Sequence, residues 1–220
     1  MLTKDLISKN ITPLRTSDTG ETALSLMEDF KVSHLPIVNE SLFLGLISEK
    51  DIFEMHNEKE AIGNHKLSLF APFVYENQHF LDSIETATRL NLTLIPVLNE
   101  KEEYLGVITL SSLLKKAAEL LNTNGPGGLI ILETKKYDYV LSEIARIVEG
   151  ENAKILSFST NMKPNGSLLI TLKINTENIS PVLRSFERFG YHIFSYFMNN
   201  ENEDDTYEKR LNEFLHYLQV

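Results

Sequence analysis

The sequence has 220 residues, with 21 Lys and Arg against 31 Asp and Glu, six His, no Cys and no Trp. That length allows one large domain or two small ones, at roughly 100–200 residues per domain, and the missing thiols exclude cysteine nucleophiles, disulfide frameworks and the common structural zinc sites. A net charge of −10 excludes a general polyanion binder, because counterion release needs a basic surface.

The charge is uneven. Residues 1–124 carry −7, residues 125–200 carry +1 and residues 201–220 carry −4, which divides the chain into three parts. The longest strongly apolar windows, 129–132 and the Pro-interrupted 69–74, fall far short of the ~20 residues of a membrane span. Met1, Leu2, Thr3, Lys4 and Asp5 lead into no signal-peptide hydrophobic core. A soluble, cytoplasmic protein is expected.

Along the chain, Ala23, Leu24, Met27 and Phe30 have the i, i+3/i+4, i+7 spacing of an amphipathic helix. A strand over 35–38, an Asn39-Glu40 turn, a strand over 43–47 and a helix over 49–56 follow. The same series then returns. A stripe at Leu81, Ile84, Ala87 and Leu90 precedes strands over 95–98 and 104–108 around Asn99-Glu100, and a helix spans 111–121. The stretch from His34 to Ser48 matches that from Leu94 to Thr109 with six identities, among them Pro36 with Pro96, Asn39 with Asn99 and Gly45 with Gly106. Ser48 and Thr109 stand where helix N-caps belong. Each repeat is too small to bury its own apolar faces, so the two are expected to pack on each other.

Residues 122–128, with Gly125, Gly127, Gly128 and Pro126, read as a linker. A new pattern starts beyond it. A β-rich run over 129–133 is followed by a helical stripe at Val140, Leu141, Ile144, Ala145 and Val148, with Asp138 as its expected N-cap. Leu156 and Phe158 lie in a strand, Lys163 to Gly166 turn the chain, and Leu168, Ile170, Leu172 and Ile174 alternate with period two. Ser180-Pro181 reads as an N-cap with Pro at the first helical position, and Val182, Leu183, Phe186 and Phe189 form the next stripe. A strand over 191–198 completes a βαββαβ order, the ferredoxin-like split βαβ. The tail carries an acidic run over 201–205 and a short stripe at Leu211, Phe214, Leu215 and Leu218. A helix that short is marginal alone and is expected to dock on its own chain or on a partner subunit.

No Gly-x-Ser-x-Gly, P-loop or Gly-x-Gly-x-x-Gly occurs, and the histidines form no His-x-His or His-Glu-x-x-His pair, so neither an enzyme nor a metal site is expected. Ser48-Glu49-Lys50-Asp51 is the one polar constellation that stands out. A carboxylate can accept both hydroxyls of a ribose, a hydroxyl and helix-start N–H groups suit phosphate, and Lys50 could add a point charge. The same spacing is a capping box, with Asp51 reaching back to Ser48. Both roles stay open on the sequence.

The repeated pattern, a proline-bearing strand followed by Gly, two apolar residues and Ser or Thr, resembles a tandem pair of CBS domains, the Bateman module. It covers residues 1–121, with repeats at about 1–60 and 61–121. Residues 129–200 resemble an ACT-type domain, and the whole resembles small acetoin-utilisation-type regulatory proteins. The resemblance implies an α+β fold, with a tandem CBS pair, a linker at 122–128, a ferredoxin-like ACT-like domain and the 201–220 tail. It further implies a non-enzymatic regulatory module that senses an adenine nucleotide between its repeats and relays it through a dimerising ACT-like domain. The implied ligands are AMP, ADP, ATP or S-adenosylmethionine, with no cofactor required. The residues that match the family's pocket positions are Thr16, Ser33, His34, Leu35, Ser48, Lys50 and Asp51.

Repeat two departs from that pattern. Thr109-Leu110-Ser111-Ser112 keeps the hydroxyl and loses the carboxylate, so one family-like site per chain is expected. Tyr139 stands where amino-acid-binding ACT domains place Gly, so the second domain is expected to dimerise without an amino-acid site. The resulting expectation is a homodimer with an unidentified protein partner and no nucleic-acid or membrane contact. The alternative is a ligand-independent dimerisation or interaction scaffold.

Overall fold

The computed structural model of the chain describes residues 1–65, 71–135 and 138–198. They fall into a first unit, Met1–Lys116, and a second that begins at Ala117. The terminal stripe at 211–218 and the acidic run over 201–205 lie outside the described residues, as do residues 69 and 70 of the 69–74 window.

In the first unit, α1 (Gly20–Phe30) starts at Thr19, whose hydroxyl accepts the Thr22 amide at 3.2 Å, and stops at Lys31 in the left-handed conformation. The hairpin of β1 (His34–Asn39) and β2 (Leu42–Ser48) sets His34 opposite Ser48 and Ile37 opposite Gly45. The repeat closes with α2 (Glu49–Phe53), shorter than the 49–56 expected because the chain turns at Glu54. The second repeat supplies β3 (Val74–Tyr75), α3 (Phe80–Leu90), β4 (Leu94–Leu98), β5 (Tyr104–Thr109) and α4 (Leu110–Leu120). Its sheet runs β3-β4-β5, the first pair parallel and the second antiparallel.

The two repeats share a core. Leu92, Leu94 and Val107 of the second lie in one buried cluster with Leu14, Ala23, Leu35, Ile37 and Ile52 of the first. A fully buried Leu or Val contributes up to about 1.5–3 kcal/mol, so these three alone couple the halves strongly. The leading segment adds a backbone tie. It lies first on repeat two, where the Thr3 amide donates to Gln78 O at 2.9 Å and Ser8 pairs with Val107, and only then joins repeat one, where Leu14 pairs with Ile37. This crossing explains the Gly of the second repeat. At Gly106 (φ +147°) a Cβ would lie 2.6 Å from Ile7 Cγ2 and 2.8 Å from Ser8 O.

The second unit contains β6 (Leu129–Lys135), α5 (Leu141–Gly150), β7 (Ile155–Met162), β8 (Ser167–Ile174), α6 (Ser180–Arg188) and β9 (His192–Phe197). The sheet order β7-β8-β6-β9 is antiparallel throughout, the ferredoxin-like arrangement. Leu168, Ile170, Leu172 and Ile174 point into a core with Ile144, Ile147 and Val148 of α5 and Val182 and Phe186 of α6. Two cap assignments differ from expectation. Val140, not Asp138, holds the cap position of α5, because Asp138 closes a turn on Lys135 O at 3.0 Å. Ile179 precedes α6, which places Ser180 inside the helix rather than at its cap.

The glycine-rich run is fastened down at its end. Gly128 exchanges backbone hydrogen bonds with Thr176 and Ile174, and the buried Lys173 ammonium donates to Gly127 O at 2.9 Å. Among the described residues no helix is long and apolar enough to cross a membrane, and no group of three or more His, Asp or Glu could hold a metal ion.

Candidate functional site

The start of β1 and the end of β2 bring the sequence-predicted residues together. The register that sets His34 opposite Ser48 carries α2 back over them, and the Glu49 amide donates to Ser33 O at 3.1 Å. The Ser48 hydroxyl accepts the Asp51 amide at 3.1 Å, and Asp51 Oδ2 accepts both the Ser48 amide at 2.8 Å and the Ser48 hydroxyl at 2.6 Å. The capping box is therefore complete. Among the described residues Asp51 Oδ1 takes no hydrogen bond, so one carboxylate oxygen is available to a ribose. The helix-start amides of Glu49 and Asp51 are both spent inside the chain, and α2 spans only five residues. The phosphate half of the expected cradle is thus much weaker than the ribose half.

A residue from the second repeat completes this cluster. The Thr93 hydroxyl accepts the Ser33 amide at 3.0 Å and lies 3.1 Å from His34 Nδ1. Burial pushes the His34 imidazole below its ordinary value, with the Asp51 charge opposing, so the ring is neutral near pH 7. The sequence reading missed Thr93, although the repeat alignment holds the signal. Counting back from Pro96 as Ser33 counts back from Pro36 arrives at Thr93. The pseudo-symmetry extends further, since the Leu110 amide donates to Thr93 O at 3.1 Å as the Glu49 amide donates to Ser33 O.

Other expected residues take different places. The Leu35 side chain is fully buried in the core, leaving only its backbone to face a ligand. Lys50 points to solvent, 83% exposed, 3.7 Å from Glu54. Thr16 sits at the far end of β1, its hydroxyl 3.3 Å from Asn39 Oδ1. Five residue steps of strand lie between His34 and Asn39, about 16 Å at the rise of a β-strand, so Thr16 does not join the Ser33–His34–Asp51 cluster. In repeat two the Thr109 hydroxyl lies 2.9 Å from both Ser111 Oγ and Ser112 Oγ and accepts the Ser112 amide at 3.2 Å. That corner is a closed set of neutral hydroxyls with no carboxylate.

The family model described as CBS domain matches residues 4–57 and 71–119. A CBS domain pair/ACT domain protein from Thermotoga maritima aligns with a TM-score of 0.50 at 20% identity, covering 55% of this chain and 99% of that one. A homoserine O-acetyltransferase from Methanococcus vannielii is 26% identical over 113 residues, 49% of this chain and 23% of that protein. An inosine-5'-monophosphate dehydrogenase from Methanocaldococcus jannaschii is 21% identical over 113 residues, 51% of this chain and 23% of that protein. The chain thus spans about a quarter of the length of these curated relatives.

Proposed function

We propose that the chain, whose two repeats match the CBS-domain family model over residues 4–57 and 71–119, is a regulatory module that takes an adenine nucleotide at the Ser33–His34–Ser48–Asp51 corner of its repeat pair. The observation that carries this reading is the Asp51 carboxylate, fixed through Oδ2 and open at Oδ1. A prepaid orientation of this kind favours a charge-assisted pair of ribose hydrogen bonds. His34 and Ser33, held by Thr93, form the adjoining wall. Lys50, free to swing from Glu54, supplies the mobile positive charge for phosphate. Thr93 belongs to the other repeat, so a ligand that shifts Ser33 or His34 biases the packing of the pair.

The relay runs into a dimerising ACT-like domain. Within the second unit, Ser157 Oγ donates to Leu121 O at 3.0 Å and Asn122 Nδ2 to Leu156 O at 2.9 Å. A displacement at residue 121 is thereby passed to β7. The second reading, a ligand-independent dimeric scaffold with an unidentified protein partner, is favoured by the completeness of the Ser48–Asp51 capping box, which needs no ligand.

Thermal melting with AMP, ADP, ATP and S-adenosylmethionine separates the two. A ligand at 100-fold over its Kd stabilises by about 2.7 kcal/mol, which corresponds to a rise of about 5–10 °C for a chain of this size. A melting curve unmoved by all four at millimolar concentration leaves the scaffold reading. Light scattering on the 25.1 kDa chain tests the homodimer that both readings share.

A further inference from the structure

Two exposed apolar side chains of the first unit stand at the same position of the two repeats. Phe53 lies five residues beyond Ser48, and Leu114 lies five beyond Thr109. Their neighbours Ile52 and Leu113 are buried, whereas Phe53 is 62% exposed and Leu114 71%. A single exposed apolar residue is ordinary. Here the exposure is repeated at equivalent places, and Leu110 adds to it one turn before Leu114.

Both positions belong to one region of the surface. The Ser33 amide reaches the Thr93 hydroxyl across the repeat boundary at 3.0 Å. Each of these two residues also receives the first amide of the helix that follows it, Glu49 of α2 on Ser33 O and Leu110 of α4 on Thr93 O, both at 3.1 Å. The two helices therefore start at one seam, and Phe53 and Leu114 stand about 6 Å along them at the rise of an α-helix.

The repeats differ there in charge. Glu54 follows Phe53 and Lys115 follows Leu114, and both are exposed. Lys50 lies 3.7 Å from Glu54 in a solvent-exposed i,i+4 pair, which neutralises little. Residues 49–54 carry three acids against one base, and residues 110–115 carry one base and no acid.

We propose that this face binds a second copy of the chain, with α2 of each copy laid on α4 of the other. A two-fold axis sets residue i on j and j on i, so the crossed arrangement covers Phe53 with Leu114 twice and brings Glu54 to Lys115 twice. Laying α2 on α2 would bury the same apolar groups but oppose Glu54 to Glu54 and Lys115 to Lys115. Like charges set face to face select against it. The interface lies in the first unit and depends neither on nucleotide nor on self-association of the second.

The test is zero-length cross-linking of the full chain with a carbodiimide, which joins a carboxylate to an amine only where they touch. The expected product is an amide link between Glu54 and Lys115, found by peptide mapping of the dimer band. Co-expressed Glu54→Gln and Lys115→Gln chains should still form it, and there the link can only join two copies. Leu114→Glu, which keeps both reacting groups, should abolish it, and Phe53→Ser should do the same. Both substitutions fall on exposed side chains, and circular dichroism checks that the fold is kept. Absence of the Glu54–Lys115 link, as α2 on α2 or a foreign protein on this face would give, overturns the proposal. So does a link missing from the co-expressed pair, or one that survives Leu114→Glu and Phe53→Ser.

Discussion

Asp51 holds Ser48 through a single oxygen, with Oδ2 2.8 Å from the Ser48 amide nitrogen and 2.6 Å from its hydroxyl. One side chain thus serves as a structural cap and as the best candidate ligand contact, and substitution can separate the two roles. Asp51→Ala is expected to cost about 1 kcal/mol of unfolding free energy, the value of a lost cap interaction, and to abolish stabilisation by nucleotide. Asp51→Asn keeps an oxygen for the Ser48 amide and should cost less, yet lose nucleotide binding as fully. Urea titrations with and without ATP measure both quantities. If Asp51→Asn binds as the native chain does, the carboxylate is only a cap.

Thr93 is expected to matter more to stability than an exposed hydroxyl does, because it receives the Ser33 amide across the repeat boundary. Thr93→Ala leaves that partly buried N–H unmet, at a cost of about 1–3 kcal/mol. Thr93→Ser should recover most of it. Equal loss in both variants would assign the effect to the methyl group and not to the hydrogen bond.

His34 gives the first unit a pH dependence with a defined sign. Burial lowers its affinity for a proton below that of the unfolded chain, whose imidazole titrates near 6.5. The unfolded state therefore takes up the proton first, and this contribution is fully present above pH 6.5 and declines as pH falls towards the folded value. His34→Gln should flatten the change in denaturation midpoint between pH 7.5 and 5.5. Parallel slopes for the variant and the native chain would remove His34 from the account.

Gly127 and Gly125 look alike in the sequence and differ in the fold. A Cβ on Gly127, at φ +116°, would come 2.0 Å from Ile174 O, whereas one on Gly125 meets only Asn122 O at 3.9 Å. Gly127→Ala is expected to destabilise by at least about 2 kcal/mol, because the backbone must move and carry with it the carbonyl that receives Lys173. Gly125→Ala should fall within about 0.5 kcal/mol of neutral. Equal tolerance of the two in thermal melts would mean the run acts purely as a flexible tether.

These cases mark what was legible in the sequence. Periodicity exposed the repeats, every long element and the βαββαβ order, because burial selects side chains at the spacing of the backbone. The Ser48–Asp51 pair was equally visible, being local. Contacts set by register and crossing were not. The distance of Thr16 from His34 depends on Leu14 pairing in parallel with Ile37, and the role of Thr93 depends on the repeats meeting face to face. Gly127 read as linker because flexibility and close approach call for the same residue.

Glu133 supplies the corresponding acid dependence in the second unit. The Ser167 hydroxyl, 2.6 Å away, is the chief cause that holds its carboxyl below the ordinary 4.5, and the Lys163 ammonium at 3.0 Å adds to it. Because the folded value is depressed, the contribution is fully present above pH 4.5 and is lost as pH falls through the folded value. Ser167→Ala removes the largest single cause and should move acid unfolding to higher pH. Lys163→Met keeps the apolar stem over the Phe194 ring, where the native ammonium stands 4.6 Å from the centroid, but removes a hydrogen bond and a charge together and should move it in the same direction. Circular dichroism across an acid titration of the three proteins gives the order directly. A larger shift for Lys163→Met than for Ser167→Ala would make the ion pair the controlling contact, with the serine hydrogen bond secondary.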